Sequence, residues 1–335
     1  MKVKRSHISL LIKLFGTGFI LFLLFRNIQF DADEFISIIL NIRIHWFLLS
    51  LTGVIIVLLI KSIRWKDLLR QQQINYSIRL AILAYFSSYA VGVISPGRLG
   101  ELVKVYNVRQ DTGTGLIPAF RTTVGDRLFD LAFLYLFGIA GGLQYLGFIS
   151  WGNPASLIAS ALFLIMLLFV FRVLFRWLGS SGRLKNNLLI SFINDCLIML
   201  TGKHSWRGWL LTALAYVFFF LTTWFLFLSL EINMGIVETA YIISIVGLVL
   251  LLPVSVAGFG TREASLVLLL SLYSVDSEAA ISFSILQFLS FFIWGGLVGL
   301  MCWIANPVPL ALLKNDAQKV FKFFRKREKD HPVAY

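Results

Sequence analysis

Hydrophobic positions in this chain do not alternate with polar ones; they run in long blocks that charge barely interrupts. Charge-free blocks cover Ile8 to Phe25 (broken only by Lys13), Ile44 to Ile60, Leu80 to Gly97, Leu131 to Phe171, Gly208 to Leu230, Thr239 to Thr261 and Ala279 to Leu313. A helix that crosses about 30 Å of hydrocarbon needs about 20 residues at 1.5 Å each, so these blocks predict membrane helices. The block from Leu131 to Phe171 is too long for one crossing, and Trp151-Gly152-Asn153-Pro154 supplies a turn that splits it. The last block is expected to end near Asn306-Pro307, where proline breaks a helix.

Composition supports this reading. Of 335 residues, 58% are hydrophobic and 14% charged, and the mean hydropathy is +0.83. A soluble domain is about 45–50% apolar and about 25% charged, so a soluble enzyme is excluded as the class to expect. The net charge of +13 carries information through its position, because basic loops stay in the cytoplasm. Lys2, Lys4 and Arg5 put the N-terminus inside, and the apolar run after them, with no small-residue cleavage site beyond Phe25, reads as a first span and not a removed signal peptide. Asp31, Asp33 and Glu34 mark an outside loop, and Lys61, Arg64, Lys66, Arg70 and Arg79 return inside.

A full crossing by Leu80 to Gly97 would strand Arg98, Lys104, Arg109, Arg121 and Arg127 outside, so that block is expected to enter and turn back. A span from about Arg127 to Phe148 then goes out, the next returns near Arg172 and Arg176, and Gly208 to Leu230 goes out to Glu231 and Glu238. Thr239 to Ser274, flanked by Glu238 and Asp276, is again re-entrant, and a last span from about Ile281 to Ala305 leads to a basic tail. The expected fold is an all-α polytopic membrane protein with about six full crossings and two re-entrant broken-helix hairpins, or eight membrane segments if the hairpins are counted so. Residues 1–305 form the membrane domain and 306–335 a basic cytoplasmic tail. The order span, span, hairpin, span occurs twice, in residues 8–149 and 155–305, and each unit crosses an odd number of times, which inverts the second. Inverted repeats with broken helices are a transporter architecture.

Both breaks carry charge. The first is Ser95-Pro96-Gly97-Arg98-Leu99-Gly100-Glu101, where Pro96 removes a backbone donor and Gly97 and Gly100 loosen the helix. A half-helix starting near Gly100 aims its positive end where Arg98 sits, which suits a lipid phosphate. The second runs from Pro253 through Gly258 and Gly260 to Thr261-Arg262-Glu263, with Thr261 expected as the N-cap. Either each Arg pairs with its neighbouring Glu to close a hairpin, or these intramembrane charges line a substrate path; the two roles can coexist.

Gly125-Asp126-Arg127-Leu128-Phe129-Asp130 forms a third cluster, with Asp126 and Asp130 on one helix face and Arg127 able to pair with Asp130. It supplies counter-charges or protons, or it is an ordinary helix start. Ile63-Arg64-Trp65-Lys66-Asp67-Leu68-Leu69-Arg70 reads as an interfacial anchor. The tail interleaves Lys and Arg with Val320, Phe321, Phe323 and Phe324, which suits an anionic lipid surface better than nucleic acid.

Four scattered histidines and the absence of HExxH, GxSxG, Walker or GxGxxG patterns leave no enzymatic signature and no nucleotide site. Cys196 and Cys302 have no metal or disulfide spacing, so neither a cofactor nor a metal is expected. The one enzymatic hint is Asp31-Ala32-Asp33, since a D-x-D pair can hold a divalent metal against a sugar diphosphate; the alternative is a pair of solvated loop acids.

Ile63-Arg64-Trp65 with Leu68-Leu69, the Ser-Pro-Gly-Arg-Leu-Gly-Glu break, Asp126 to Asp130, and Pro253 to Glu263 together resemble the lysylphosphatidylglycerol synthase transmembrane-region family, flippase-like integral membrane proteins, over residues 8–305. The resemblance implies movement of phospholipid, typically aminoacylated phosphatidylglycerol, or of polyprenyl-phosphate lipids between leaflets. Carried over residue by residue, it implicates Arg98, Glu101, Arg127, Asp130, Arg262 and Glu263 in substrate binding. Full synthases continue into a soluble aminoacyl-transferase domain and this sequence stops at Tyr335, so the expectation is a translocase and not an enzyme. The expected setting is the cytoplasmic membrane of a prokaryote with both termini inside. The expected partners are anionic membrane lipids, not nucleic acid, with an envelope lipid or glycan biosynthesis enzyme as a further candidate. The rivals are a lipid-linked glycosyltransferase using Asp31 and Asp33, and a non-transporting partner of a glycan assembly enzyme.

Overall fold

The computed structural model describes residues 16–18, 22, 26, 30–95, 100–150, 153–180, 188–251, 255 and 258–307, and every described element is helical. The helices are α1 (Ala32–Leu40), α2 (Ile44–Gln71), α3 (Ile78–Ile94), α4 (Leu102–Thr112), α5 (Leu116–Tyr145), α6 (Ala155–Ser180), α7 (Leu188–Thr201), α8 (Ser205–Ser229), α9 (Ile236–Val249), α10 (Thr261–Ser271), α11 (Ser277–Gln287) and α12 (Gly295–Ala305). A π-helical segment, Phe288–Trp294, joins α11 to α12 without a break. Five stretches are long and apolar enough to span a bilayer: α2, α5, Ala155–Trp177 of α6, α8, and Ser277–Ala305. They coincide with five of the six expected crossings. The expected span in residues 8–25 falls almost wholly outside the described residues, as does the basic tail from residue 308.

The short helices lie where the breaks predict. At about 1.5 Å per residue, α4 and α10, of 11 residues each, reach about 17 Å, well short of the hydrocarbon thickness. α3 packs on α4, and α9 on α10. Gly100 sits so close to the backbone of Val91 and Gly92 that any Cβ there would overlap it, and its N–H donates to Ser95 Oγ at 2.8 Å. Glycine is the residue that permits this approach. At the second break Gly260 has φ +83°, and Glu263 Oε2 accepts its N–H at 2.7 Å. Gly260 therefore occupies the N-cap position that the sequence assigned to Thr261, and Thr261 opens the helix with its hydroxyl on the Gly258 carbonyl.

Two further boundaries differ from expectation. The segment 63–70 is the last part of α2, not a separate interfacial helix, and it buries Trp65, Leu68 and Leu69 completely. The third full span begins at Leu116 and not Arg127, so Asp126, Arg127 and Asp130 lie inside α5 instead of at its start. In both places charge mimics a helix boundary along one helix, while the partners that let it remain inside lie on another.

The chain divides into two compact units, with boundaries that fall within helices. One comprises residues 1–57, 131–164 and 215–295; its core gathers Leu226, Phe227, Ile243, Leu266, Leu270 and Phe283, with the Phe227 and Phe283 rings stacked at 3.9 Å. Asp31 caps α1 here, its carboxylate accepting from the amides of Asp33 and Glu34. The other comprises residues 58–130, 165–214 and 296–335, with Leu68, Phe129, Met199 and Leu200 at its centre. In its connector between α2 and α3, the Tyr76 hydroxyl donates to Asp111 at 2.6 Å, and burial beside that carboxylate pushes the phenol well above its usual range.

Candidate functional site

Within the second unit, α2 presents Lys61, Arg64 and Trp65 toward α5, which presents Thr122, Asp126 and Asp130. Their spacings of three and four residues place each set on one face of its helix. Arg64 uses all five N–H groups: Nε and Nη2 donate to Asp126 Oδ1 at 2.9 and 2.8 Å, and Nη2 also to the Asp126 carbonyl at 3.1 Å. Nη1 donates to Asp130 Oδ1 and to Thr212 Oγ1, each at 2.9 Å. The second oxygen of Asp126 accepts from Lys104 Nζ at 3.0 Å and Tyr85 Oη at 3.2 Å. Lys104 lies 4.5 Å from the Tyr85 ring centroid and 5.4 Å from that of Trp65, whose indole N–H donates to Thr122.

The cluster continues to a partly exposed edge. Asp130 Oδ2 accepts from Lys61 Nζ at 3.0 Å and lies 3.6 Å from Arg127 Nη1. Arg127 forks onto Glu101, with Nε donating to Oε2 at 2.6 Å and Nη2 paired with Oε1. The side chains of Arg64 and Asp126 are 0% exposed, whereas Lys61 is 18% and Arg127 33% exposed. Among the described residues, the four cations Lys61, Arg64, Lys104 and Arg127 thus meet the three carboxylates Asp126, Asp130 and Glu101, each cation paired with at least one of them.

The inner and outer parts differ in what they can do. The Arg64–Asp126–Lys104 core is buried, with every Arg64 donor bonded and both Asp126 carboxylate oxygens accepting, which fits a brace between α2, α4 and α5. In the outer group Asp130 and Glu101 are buried, whereas the side chains of Lys61 and Arg127 are partly exposed. A guanidinium with a forked carboxylate matches the geometry by which arginine holds phosphate.

Of the residues singled out by sequence, Glu101, Arg127 and Asp130 come together here. Arg98, Pro96, Gly97 and Pro253 lie outside the described residues. Arg262 and Glu263 pair with each other in the first unit, Arg262 Nη2 donating to Glu263 Oε1 at 2.8 Å and Nε to Ser284 Oγ at 2.9 Å. The rings of Phe259, Phe288 and Phe292 surround that guanidinium at 5.4–5.8 Å. Arg262 thereby has the partner that the structural reading of the second break anticipates. Lys61, Arg64 and Lys104 were not assigned to a site by sequence. The signal that finds them is complementary spacing: cations at 61 and 64 on one helix, carboxylates at 126 and 130 on another.

An all-helical, multi-pass membrane protein with an ion cluster folded between its helices is the class this architecture defines. The chain belongs to the lysylphosphatidylglycerol synthase TM region family, whose pattern matches residues 9–299. Among curated proteins it is similar to the UPF0104 membrane protein MJ1595 of Methanocaldococcus jannaschii, with 24% identity over 326 residues, covering 89% of this chain and 94% of that one. It is also similar to the UPF0104 membrane protein MJ1078 of the same organism, with 25% identity over 220 residues, covering 60% of this chain and 88% of that one.

Proposed function

We propose that the protein is a lipid translocase of the cytoplasmic membrane that passes a phosphate-bearing lipid between leaflets without catalysing a covalent reaction. The substrate class is an anionic or aminoacylated phospholipid, or a polyprenyl phosphate. The observation that carries this reading is the fork of Arg127 on Glu101 at the partly exposed edge of the buried cluster, where the Arg127 side chain is 33% exposed. There a headgroup phosphate replaces Glu101 as the partner of Arg127 while its tails stay in hydrocarbon. Intramembrane ionisable groups of this kind commonly mark substrate paths. In an inverted repeat with both termini cytoplasmic, the broken helix pair beside this cluster, α3–α4, is the element whose rearrangement would open the path.

The test is leaflet exchange in proteoliposomes with head-labelled phosphatidylglycerol, its lysyl ester, a zwitterionic lipid and a polyprenyl phosphate, with and without a proton gradient. Exchange of the phosphate-bearing anionic or aminoacylated lipids above protein-free liposomes supports the reading. No exchange of any lipid under either condition overturns it and favours a glycan-assembly partner.

A further inference from the structure

Ile63 and Asp67 of α2, and Trp206, Arg207, Leu210 and Leu211 of α8, line a groove of about 330 Å³ in the second unit. Its residues face away from the ion cluster: α2 turns Arg64, Trp65, Leu68 and Leu69 inward, which leaves Ile63 and Asp67 on the opposite face. Asp67 lies within the last turns of α2, and Trp206 and Arg207 lie in the first turn of α8, so the charged end of the groove is at the ends of two spans. Ile63, Leu210 and Leu211 lie one turn further into those spans, about 5.4 Å deeper. The groove therefore has a charged rim and an apolar floor in the order a phospholipid presents them.

The rim chemistry is specific. Among the described residues, Asp67 has no hydrogen-bond or ion-pair partner, and Arg207 is held only by the face of Trp206, 5.4 Å from the ring centroid. Two opposite charges in one groove, neither paired with the other, complement a headgroup carrying both signs. We infer that this groove binds a zwitterionic phospholipid, with its phosphodiester on Arg207, its ammonium on Asp67 and its acyl chains along Ile63, Leu210 and Leu211. Trp206 fixes Arg207 at headgroup depth, where tryptophan is favoured. A purely anionic headgroup gains Arg207 but meets the Asp67 carboxylate as a like charge. The inference does not rest on translocation, and its test needs no exchange.

The experiment is native mass spectrometry of the purified, delipidated protein after incubation with equimolar phosphatidylethanolamine and phosphatidylglycerol of matched chains. The wild type is expected to retain phosphatidylethanolamine about fivefold more. Asp67→Asn, a change at a side chain with no hydrogen-bond or ion-pair partner among the described residues, is expected to abolish that preference, and Arg207→Gln to lower retention of both lipids. Equal retention by the wild type, a preference for phosphatidylglycerol, or a preference that survives Asp67→Asn would overturn the assignment. Folding of each variant is verified by its melting temperature.

Discussion

Arg64 holds Asp126 with three hydrogen bonds, two to one carboxylate oxygen and one to the backbone carbonyl, and neither side chain is exposed. Removing Arg64 leaves the buried Asp126 carboxylate with only Lys104 and Tyr85 on its other oxygen, and loss of one partner from a buried ion pair costs up to about 3–5 kcal/mol. Arg64→Ala is expected to lower the melting temperature sharply or abolish a monodisperse detergent-solubilised peak. Arg64→Lys, which keeps the charge and loses the fork, should fall between the two. A melt of Arg64→Ala that superimposes on the wild type would contradict the role of this pair as a brace.

Glu101 and Arg127 make opposite predictions if the carboxylate occupies the place of a headgroup phosphate. Glu101→Gln removes the competing charge, so binding of a short-chain phosphatidylglycerol should tighten, by about tenfold for 1.4 kcal/mol of relieved competition. Arg127→Gln should weaken the same binding by at least as much. Isothermal titration in detergent reads both. If Glu101 served only to hold the hairpin, its substitution would weaken binding instead.

Gly100 tests the packing of the first broken helix. A methyl group at this position falls on the backbone of Val91 and Gly92, which cannot rotate away as a side chain can. Gly100→Ala is expected to cost about 1–3 kcal/mol, seen as a lower melting temperature. Unchanged stability would mean that α3 and α4 do not approach as closely as described.

Asp31 separates the translocase from its enzymatic rival. Its carboxylate caps α1, so Asp31→Ala should cost about 1 kcal/mol and leave lipid exchange unaffected, with or without a chelator. Loss of a metal-dependent glycosyl transfer activity in this variant would instead support the glycosyltransferase.

Much of the fold was legible because hydropathy reports length directly: the blocks at 44–60, 208–230 and 279–313 lie within α2, α8, and α11 through α12 and just beyond. The breaks at Gly100 and Gly260 were legible because close backbone approach and positive φ both select glycine. The ends of α2 and the start of α5 were not. Lys61 and Arg64, or Asp126 and Arg127, look like the edge of a membrane when read along one helix, and only pairing across helices shows that they are interior. The short helix α7 escaped for another reason. Its apolar run is brief and contains Asn194 and Asp195, the latter paired with Arg121 of α5 at 2.9 Å, a contact that no local pattern encodes. Of the cluster, Glu101, Arg127 and Asp130 stand in motifs that the sequence singles out, while Lys104 has no local pattern that distinguishes it from other basic loop residues.

The most direct measurement is the initial rate at which head-labelled phosphatidylglycerol in the inner leaflet of proteoliposomes becomes accessible to an external quencher, compared between the wild type and folded Arg127→Gln. The account predicts rapid exchange by the wild type and a fall to the protein-free rate in the variant. Equal rates in the two proteins would contradict the claim that Arg127, at the edge of the buried cluster, carries the headgroup.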